Sequence, residues 1–214
     1  MNVDSHREDP VTIFTIGHSN HELPHFLDLL LAHHIRVLVD TRSSPWVQYS
    51  THFNAEPLRR AALAAGVRYV YRGDELGGRP ASRDFYDDDG RVRYDLIAKT
   101  DGFANALDEV VALARHEPTA IMCSEENPAD CHRRLLIGRV ARGRGHEIVH
   151  IRGDGARQTE DEFEERLRSE DPRRNQLDLF AGTEKQEWKS TRSVLPKPRP
   201  GDSSDGFATP EYDD

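Results

Sequence analysis

The chain has 214 residues and a mass of 24.3 kDa, which suffices for one α/β domain with an appendage but not for two full domains. Its mean hydropathy is −0.75, and its two cysteines cannot make a disulfide scaffold. The sequence shows neither a signal-like leader nor an apolar run near the ~20 residues of a membrane span. We therefore expect a cytoplasmic protein that does not enter a membrane. The net charge of −9 divides into −3 over residues 1–152 and −6 over residues 153–214, so the nearly neutral first part neither excludes nor indicates nucleic acid.

Short apolar runs alternate with helical patterns over the first 150 residues. The apolar runs predict five strands, at residues 11–16, 36–40, 67–71, 119–123 and 147–151. Helical spacing predicts helices between them, beginning near Ser19 with a Ser19/Glu22 capping box and then covering about 54–65, 103–114 and 131–142. The Gly-rich, acidic stretch 74–93 is predicted to be a mobile loop.

This alternation predicts a single three-layer α/β domain, residues 11–152, with a mostly parallel sheet of about five strands flanked by helices. Residues 1–10 are expected to be disordered. Residues 153–189 are interpreted as a flexible tail with one short helix, Thr159–Arg168, which Thr159 and Glu162 cap. The Pro/Ser/Asp-rich residues 190–214 are predicted to be a disordered acidic tail.

Polar clusters follow four of the predicted strands. His18 and Ser19 follow the first strand, Asp40 and Arg42 the second, Glu75 the third, and Cys123 and Glu125 the fourth. Ligands of parallel sheets bind outside the carboxyl ends of the strands. We therefore expect the functional site at this edge of the sheet.

The stretch from Cys123 to Arg134 is the densest in chemically capable side chains, and three interpretations stay open. Cys123 is a candidate nucleophile, activated by a helix N-terminus and arginine. Cys123, Cys131 and His132 could bind a metal, although their spacing matches no common zinc pattern, so no metal or cofactor is expected. Alternatively the thiols are structural, and Glu125, His132 and Asp40 perform acid/base chemistry. Asp130 is predicted to cap the following helix.

The other loops offer groups for substrate binding. The Gly17-His18-Ser19 turn precedes a helix and suits an anion, and Arg42 and Arg133 are candidates for phosphate contacts. Glu75 and Arg79 flank two glycines in a stretch that suits a lid, or an ordinary surface turn. Trp46 and Tyr49 either stack on a base or pack their loop against the domain.

Six short patterns follow one another along the chain: Thr15-Ile-Gly-His-Ser19, Asp40-x-Arg42-x-x-Pro45, Leu76-Gly-Gly78, Cys123-x-Glu125, Cys131-His132-Arg133 and His150-Ile151. The same patterns in the same order are typical of the DUF488 family. Residues 11–152 therefore resemble this family. Its name records a domain of unknown function, so the resemblance implies the domain and its polar edge but no reaction.

The peptide Gln176-Leu177-Asp178-Leu179-Phe180 resembles the motif by which bacterial polymerases and repair proteins bind the sliding clamp. Leu177, Leu179 and Phe180 are the candidate apolar contacts, and the Gln176 amide supplies hydrogen bonds. The alternative is that these residues fold back over an apolar patch of the domain.

Together these features predict a DNA repair or maintenance enzyme that the clamp recruits to DNA at the nucleoid. We expect it to hydrolyse a bond in a damaged or modified nucleotide, with cleavage of the base–sugar bond preferred over phosphodiester cleavage. In this hypothesis Glu125 or Asp40 supplies the carboxylate, and His18 and His132 transfer protons. The alternatives are a non-catalytic clamp-recruited binding module and a thiol-dependent enzyme unrelated to DNA.

Overall fold

The sheet is parallel except at one edge. The computed structural model describes residues 9–170 and 188–194, and in these ranges six strands form one sheet in the order β3-β2-β4-β1-β5-β6. The strands are β1 Thr12–Gly17, β2 Val37–Asp40, β3 Arg68–Tyr71, β4 Thr119–Cys123, β5 Glu147–Ile151 and β6 Arg157–Thr159. The first five pair in parallel, and only β6 pairs antiparallel, with β5. The predicted α/β class and mostly parallel sheet are therefore confirmed, and β6 is a strand that the sequence pattern did not predict.

Helices cover both faces of the sheet. They are α1 Leu23–Ala32, α2 Ala55–Ala64, α3 Gly73–Leu76, α4 Tyr94–Ile97, α5 Asp101–His116, α6 Arg139–Gly143 and α7 Glu160–Glu170. Because side chains of a strand alternate between faces, Val37 and Val39 pack with α5 and α6 while Leu38 packs with α1 and α2. The two resulting apolar clusters are the cores of the three-layer domain.

Two predicted helix caps are wrong. Ser19 has a φ of +48°, and its hydroxyl donates to Asn20 (3.0 Å) rather than capping α1, which begins at Leu23. Asp130 is exposed at the end of a 3₁₀ turn, Pro128–Asp130, and caps nothing. The predicted helix 131–142 begins instead as a π-helix, Arg133–Gly138, that continues into α6.

The stretch predicted to be a mobile loop, 74–93, carries structure of its own. Part of α3 and a 3₁₀ turn, Arg83–Phe85, lie within it, and Tyr86 forms a β-bridge with Val92. The predicted capping box of α7 is confirmed, because Glu162 accepts from the Thr159 amide (2.8 Å) while Thr159 Oγ1 accepts from the Glu162 amide (3.3 Å).

Residues 188–194 lie against the domain. The Trp188 indole donates to the Leu135 carbonyl (2.6 Å), and buried Ser190 exchanges hydrogen bonds with the Val92 backbone. The prediction of disorder from residue 190 onward is therefore wrong for residues 190–194. The predicted clamp-binding peptide, 176–180, lies outside the described residues, as do residues 1–8 and 195–214. No helix within the described ranges is long and apolar enough to cross a membrane.

A methyl group at Gly17 tests how tightly the end of β1 packs against the loop that follows β4. An ideal Cβ at Gly17 would lie 1.9 Å from the Glu125 carbonyl oxygen, so Gly17→Ala must push the two backbones apart. We expect the free energy of unfolding, measured by urea denaturation, to fall by about 1–3 kcal/mol or more. Gly143→Ala is the matched control, because a Cβ there meets nothing within 4 Å and alanine favours helix. Equal stability of both variants would contradict the close packing.

Candidate functional site

The site candidate lies where two neighbouring strands send their chains to opposite faces of the sheet. β1 continues into α1 on one face, and the adjacent β4 continues into the π-helix and α6 on the other. A crevice opens at such a switch point in parallel sheets. The predicted edge is therefore the one at which the loops 17–19, 40–42 and 123–133 come together.

Backbone amides of the first loop hold the loop that follows β4. The His18 amide donates to the Cys123 carbonyl (3.0 Å), and the Ser19 amide donates to the Ser124 carbonyl (2.9 Å). These amides are engaged within the protein, so the anion site predicted at Gly17-His18-Ser19 does not form there. Ser19 instead extends the parallel pairing of β1 and β4 beyond the ends of the strands.

Arg133 holds the same loop from the other side. Its guanidinium is 1% exposed and donates to the carbonyls of Glu125 and Glu126 (2.6 Å for the latter) and to Cys123 Sγ (2.6 Å). With its donors used inside the domain, Arg133 cannot bind a phosphate as the sequence suggested. Its position makes it a residue that shapes the loop.

A chain of hydrogen bonds links the Arg133 charge to a buried carboxylate. Arg133 Nε donates to Thr15 Oγ1 (3.3 Å), Thr15 Oγ1 contacts His150 Nδ1 (2.8 Å), and His150 Nε2 contacts Glu160 Oε2 (2.7 Å). Burial lowers the pKa of His150, so the ring is neutral. Its proton is on Nε2, because this atom contacts the Glu160 carboxylate, which accepts a hydrogen bond. Burial alone would raise the pKa of Glu160, but the His150 hydrogen bond and the charge of Arg134 lower it, so the carboxylate stays ionised.

The two cysteine sulfurs are in direct contact. Cys123 Sγ and Cys131 Sγ are 2.8 Å apart, both residues are 1% exposed, and neither is in a disulfide. Burial raises the pKa of Cys123, as does the neighbouring Cys131 thiol, while Arg133 acts in the opposite direction. The Cys123 thiol is therefore protonated at neutral pH, which does not favour it as a resting nucleophile.

Cys131 lies between two groups that can accept its proton. Its sulfur is 3.4 Å from Glu125 Oε2 and 3.8 Å from His132 Nδ1. On the far side of the ring, His132 Nε2 lies 3.0 Å from the Thr41 carbonyl oxygen, which can only accept, so Nε2 carries the proton and Nδ1 is the free basic atom. Gly78 lies over this ring, where an ideal Cβ would be 2.7 Å from His132 Cγ.

Glu125 is the carboxylate of this cluster that faces outward. Its side chain is 41% exposed, and Oε1 lies 3.9 Å from Arg192 Nη2. Burial would raise the pKa of Glu125, but His132, its own backbone amide and the two thiols together lower it. Glu125 is therefore an ionised, accessible carboxylate at neutral pH.

Asp40 and His18, in contrast, have their polar atoms engaged inside the domain. Fully buried Asp40 accepts from Arg42 Nη2 (2.6 Å) and from the Tyr69 hydroxyl (2.7 Å). Arg42 also donates from Nη1 to His18 Nε2 (3.2 Å), while His18 Nδ1 lies 2.8 Å from the Ser19 carbonyl. Burial, assisted by the Arg42 charge, lowers the pKa of His18 to about 4. The geometry therefore favours positioning roles for these three residues rather than proton transfer or phosphate binding.

The remaining predicted substrate contacts are on the surface. Trp46 and Tyr49 are 56% and 93% exposed, so they do not pack their loop against the domain. Arg79 is exposed and its amide donates to Ser43 Oγ (2.9 Å), close to the ring of His132 that Gly78 covers. Glu75 is exposed, and its Cγ lies 3.8 Å from the position of an ideal Cβ at Gly102, near the start of α5.

Three of these groups are close enough to share a metal ion. The ligand atoms of Cys123, Glu125 and Cys131 lie within 4.8 Å of one another. Zinc–sulfur bonds of about 2.3 Å at a tetrahedral angle would separate two thiolates by roughly 3.7 Å. The sulfurs at 2.8 Å would have to move apart to bind zinc together, so the arrangement does not fit this metal without rearrangement.

Sequence reasoning missed several residues on which this site depends. Four of them, Thr15, Thr41, Tyr69 and Arg192, contact a predicted residue, and the fifth, Glu160, contacts His150 of the family patterns. Thr15 is the first residue of the first family pattern, and Thr41 is the unspecified residue between Asp40 and Arg42 in the second. Both lie near the carboxyl end of a strand. Glu160 and Arg192 come from distant parts of the chain, and no local signal indicates them.

The family model described as "Domain of unknown function DUF488" matches residues 22–140, which is more than half of the chain. No curated protein and no solved structure matches the chain.

Asp40→Asn tests whether this carboxylate has a structural role. The substitution keeps the shape but removes the charge that balances buried Arg42. We expect the free energy of unfolding to fall by about 3–5 kcal/mol in urea denaturation, because a buried charge loses its partner. Asp130→Asn, at an exposed acid, should change it by no more than about 0.5 kcal/mol. Unchanged stability of Asp40→Asn would refute the structural role.

Proposed function

The chain belongs to the DUF488 family, whose description names no reaction, and we propose that it is a hydrolase that cleaves the base–sugar bond of a damaged or modified nucleotide in DNA. The cleft at the carboxyl edge of the sheet is its active site. Glu125 is the reacting carboxylate, His132 transfers the proton, and the exposed aromatic side chains of the neighbouring loop hold the base.

The observation that carries this proposal is the contrast between two carboxylates at the same edge. Asp40 is fully buried and engaged with Arg42 and Tyr69, whereas Glu125 is 41% exposed and ionised. Loss of a base leaves positive charge on the sugar, which a nearby carboxylate stabilises, either directly or by positioning the attacking water. Of these two groups, only Glu125 can approach a substrate.

His132 supplies the proton that the leaving base takes up. Because Nε2 is committed to the Thr41 carbonyl, the proton acquired from or delivered to the cleft resides on Nδ1. Departure of a purine or pyrimidine is easier when a ring nitrogen is protonated as the bond breaks. His132 Nδ1 lies beside the Cys131–Glu125 contact and is therefore placed to do this.

Exposed aromatic side chains support a nucleotide as the substrate. Trp46 and Tyr49 are exposed in the loop that follows β2. At the start of this loop the Thr41 carbonyl contacts the His132 ring, and Ser43 packs against Gly77. A base that leaves the duplex can stack on such side chains, and stacking contributes about 1–3 kcal/mol per base. Exposed Arg79 on the same side can contact a phosphate.

Recruitment to DNA is supported by the sequence of the tail. The peptide 176–180 resembles the bacterial clamp-binding motif, and tethering would raise the local concentration of the domain at DNA without a basic surface. This compensates for the net charge of −3 over residues 1–152.

Glu125→Gln tests the reaction. A panel of oligonucleotides with deaminated, oxidised or alkylated bases is incubated with the full chain, and abasic sites are detected by alkaline cleavage. We expect kcat to fall by about 10²–10⁴-fold in the variant, with little change in DNA affinity. Glu126→Gln is the matched control. Its carboxylate is bound to Arg152 (2.9 Å), so we expect this variant to retain activity.

Other outcomes of that experiment reject the proposal in different ways. Loss of affinity without any turnover by the wild type would indicate a binding module. Loss of turnover in Cys131→Ser with full activity in Glu125→Gln would indicate a thiol-dependent enzyme, which the contact between Cys131 and His132 would then explain.

Binding to a purified bacterial sliding clamp tests the partner. We expect micromolar affinity by surface plasmon resonance, abolished when Gln176, Leu179 and Phe180 are all changed to alanine, because the apolar anchors and the amide are then lost. Undiminished binding by the triple variant would place the interface elsewhere. An absence of binding by the wild type would remove the main support for DNA as the substrate.

A further inference from the structure

We propose that Cys123 and Cys131 are a redox-active pair, which a peroxide converts into an intramolecular disulfide beneath Glu125. This inference goes beyond the proposed hydrolase activity and does not depend on it. It is carried by the contact of the two sulfurs, by the groups that surround each of them and by the way both ends of the connecting loop are held.

The sulfurs are closer than ordinary non-bonded atoms. Their separation of 2.8 Å is below the about 3.5–4.0 Å of optimal non-bonded contact, and it exceeds a disulfide bond of about 2.05 Å by less than 1 Å. The chain between the two cysteines is only seven residues long, and the backbone at Cys123 is fixed by β4. A small rotation of the side chains is therefore enough to form the bond.

The surroundings distinguish the two thiols. Cys131 has two proton acceptors within reach, Glu125 Oε2 at 3.4 Å and His132 Nδ1 at 3.8 Å. Cys123 contacts a backbone carbonyl, that of Glu125 (3.5 Å), and receives a hydrogen bond from Arg133. Cys131 lies beside the exposed carboxylate of Glu125, so a peroxide that enters from this side meets the Cys131 sulfur first.

The chemistry is balanced with hydrogen peroxide as the oxidant. The Cys131 thiolate attacks one peroxide oxygen, the O–O bond breaks, and the leaving hydroxide takes up the Cys131 proton, which gives a sulfenic acid and one water. The Cys123 sulfur then attacks the Cys131 sulfur, the S–O bond breaks, and hydroxide leaves with the Cys123 proton as a second water. Arg133 Nη1, 2.6 Å from Cys123 Sγ, stabilises the negative charge that develops there.

Formation of the disulfide changes the environment of Glu125. The Cys131 thiol donates to Oε2 in the reduced protein, and this donor disappears on oxidation. Arg133 likewise loses the thiol of Cys123 as a partner while it keeps the two loop carbonyls. The redox state of the pair therefore alters the one accessible carboxylate of the cluster.

Intact-mass spectrometry of the full chain tests the inference directly, because the chain has only two cysteines. The protein is treated with a few equivalents of hydrogen peroxide, and free thiols are counted with a chromogenic disulfide reagent. We expect both thiols to disappear together with the loss of two hydrogens and no gain of oxygen, and dithiothreitol to restore them. Cys123→Ser should stop at a Cys131 sulfenic acid that dimedone traps, whereas Cys131→Ser should react far more slowly.

Three results would overturn the proposal. One is the addition of oxygen to the cysteines without loss of the two hydrogens. Another is two thiols that stay free at peroxide levels that oxidise an exposed model thiol. The third is protein that, as purified, contains zinc whose chelation is needed before the thiols react. Each is read from the wild type, so none depends on whether a variant folds or on any hydrolase assay.

Discussion

The buried guanidinium of Arg133 is the interaction on which the cleft depends. It bonds the carbonyls of Glu125 and Glu126, the sulfur of Cys123 and the hydroxyl of Thr15, so one side chain defines the path of the loop after β4. A lysine could not do this, because a single ammonium lacks the planar array of donors that reaches several acceptors at once. Burying such a charge is costly unless it is balanced. Here the ionised Glu125 carboxylate stabilises the Arg133 charge, and the loop carbonyls accept its hydrogen bonds, whereas Glu160 pairs with Arg134.

A second buried arginine supports the neighbouring loop in the same way. Arg42 is paired with Asp40 and holds the neutral ring of His18, which stacks on Phe53 with ring centroids 4.4 Å apart. The glycines complete the arrangement, since Gly17 and Gly78 lie where side chains would collide with the Glu125 carbonyl and the His132 ring. Many of the residues in the six family patterns are thus engaged in building the cleft, and fewer of them face it.

This explains how far sequence reasoning could go. Alternating apolar runs identified five of the six strands, and the carboxyl edge of the sheet followed from their parallel order. The pattern could not tell whether a polar side chain at a strand end points into the interior or into the cleft, so Asp40 and Glu125 looked equivalent. Ser19 was misread as a cap because its residue type fits one, while its backbone is in the left-handed region. Glu160 could not be found, because its partner His150 is reached only through the antiparallel β6.

Burial also separates the two chemistries that we propose for this small cluster. A nucleotide is too large to reach sulfurs that are 1% exposed, but it can contact a carboxylate that is 41% exposed and the aromatic side chains outside it. A peroxide is as small as a pair of waters and needs only a transient opening beside Glu125 to reach Cys131. The same carboxylate borders both regions, since Oε2 accepts from Cys131 while Oε1 faces Arg192. Any change at the sulfurs is therefore transmitted to the cleft through Glu125, without a second site or a moving domain.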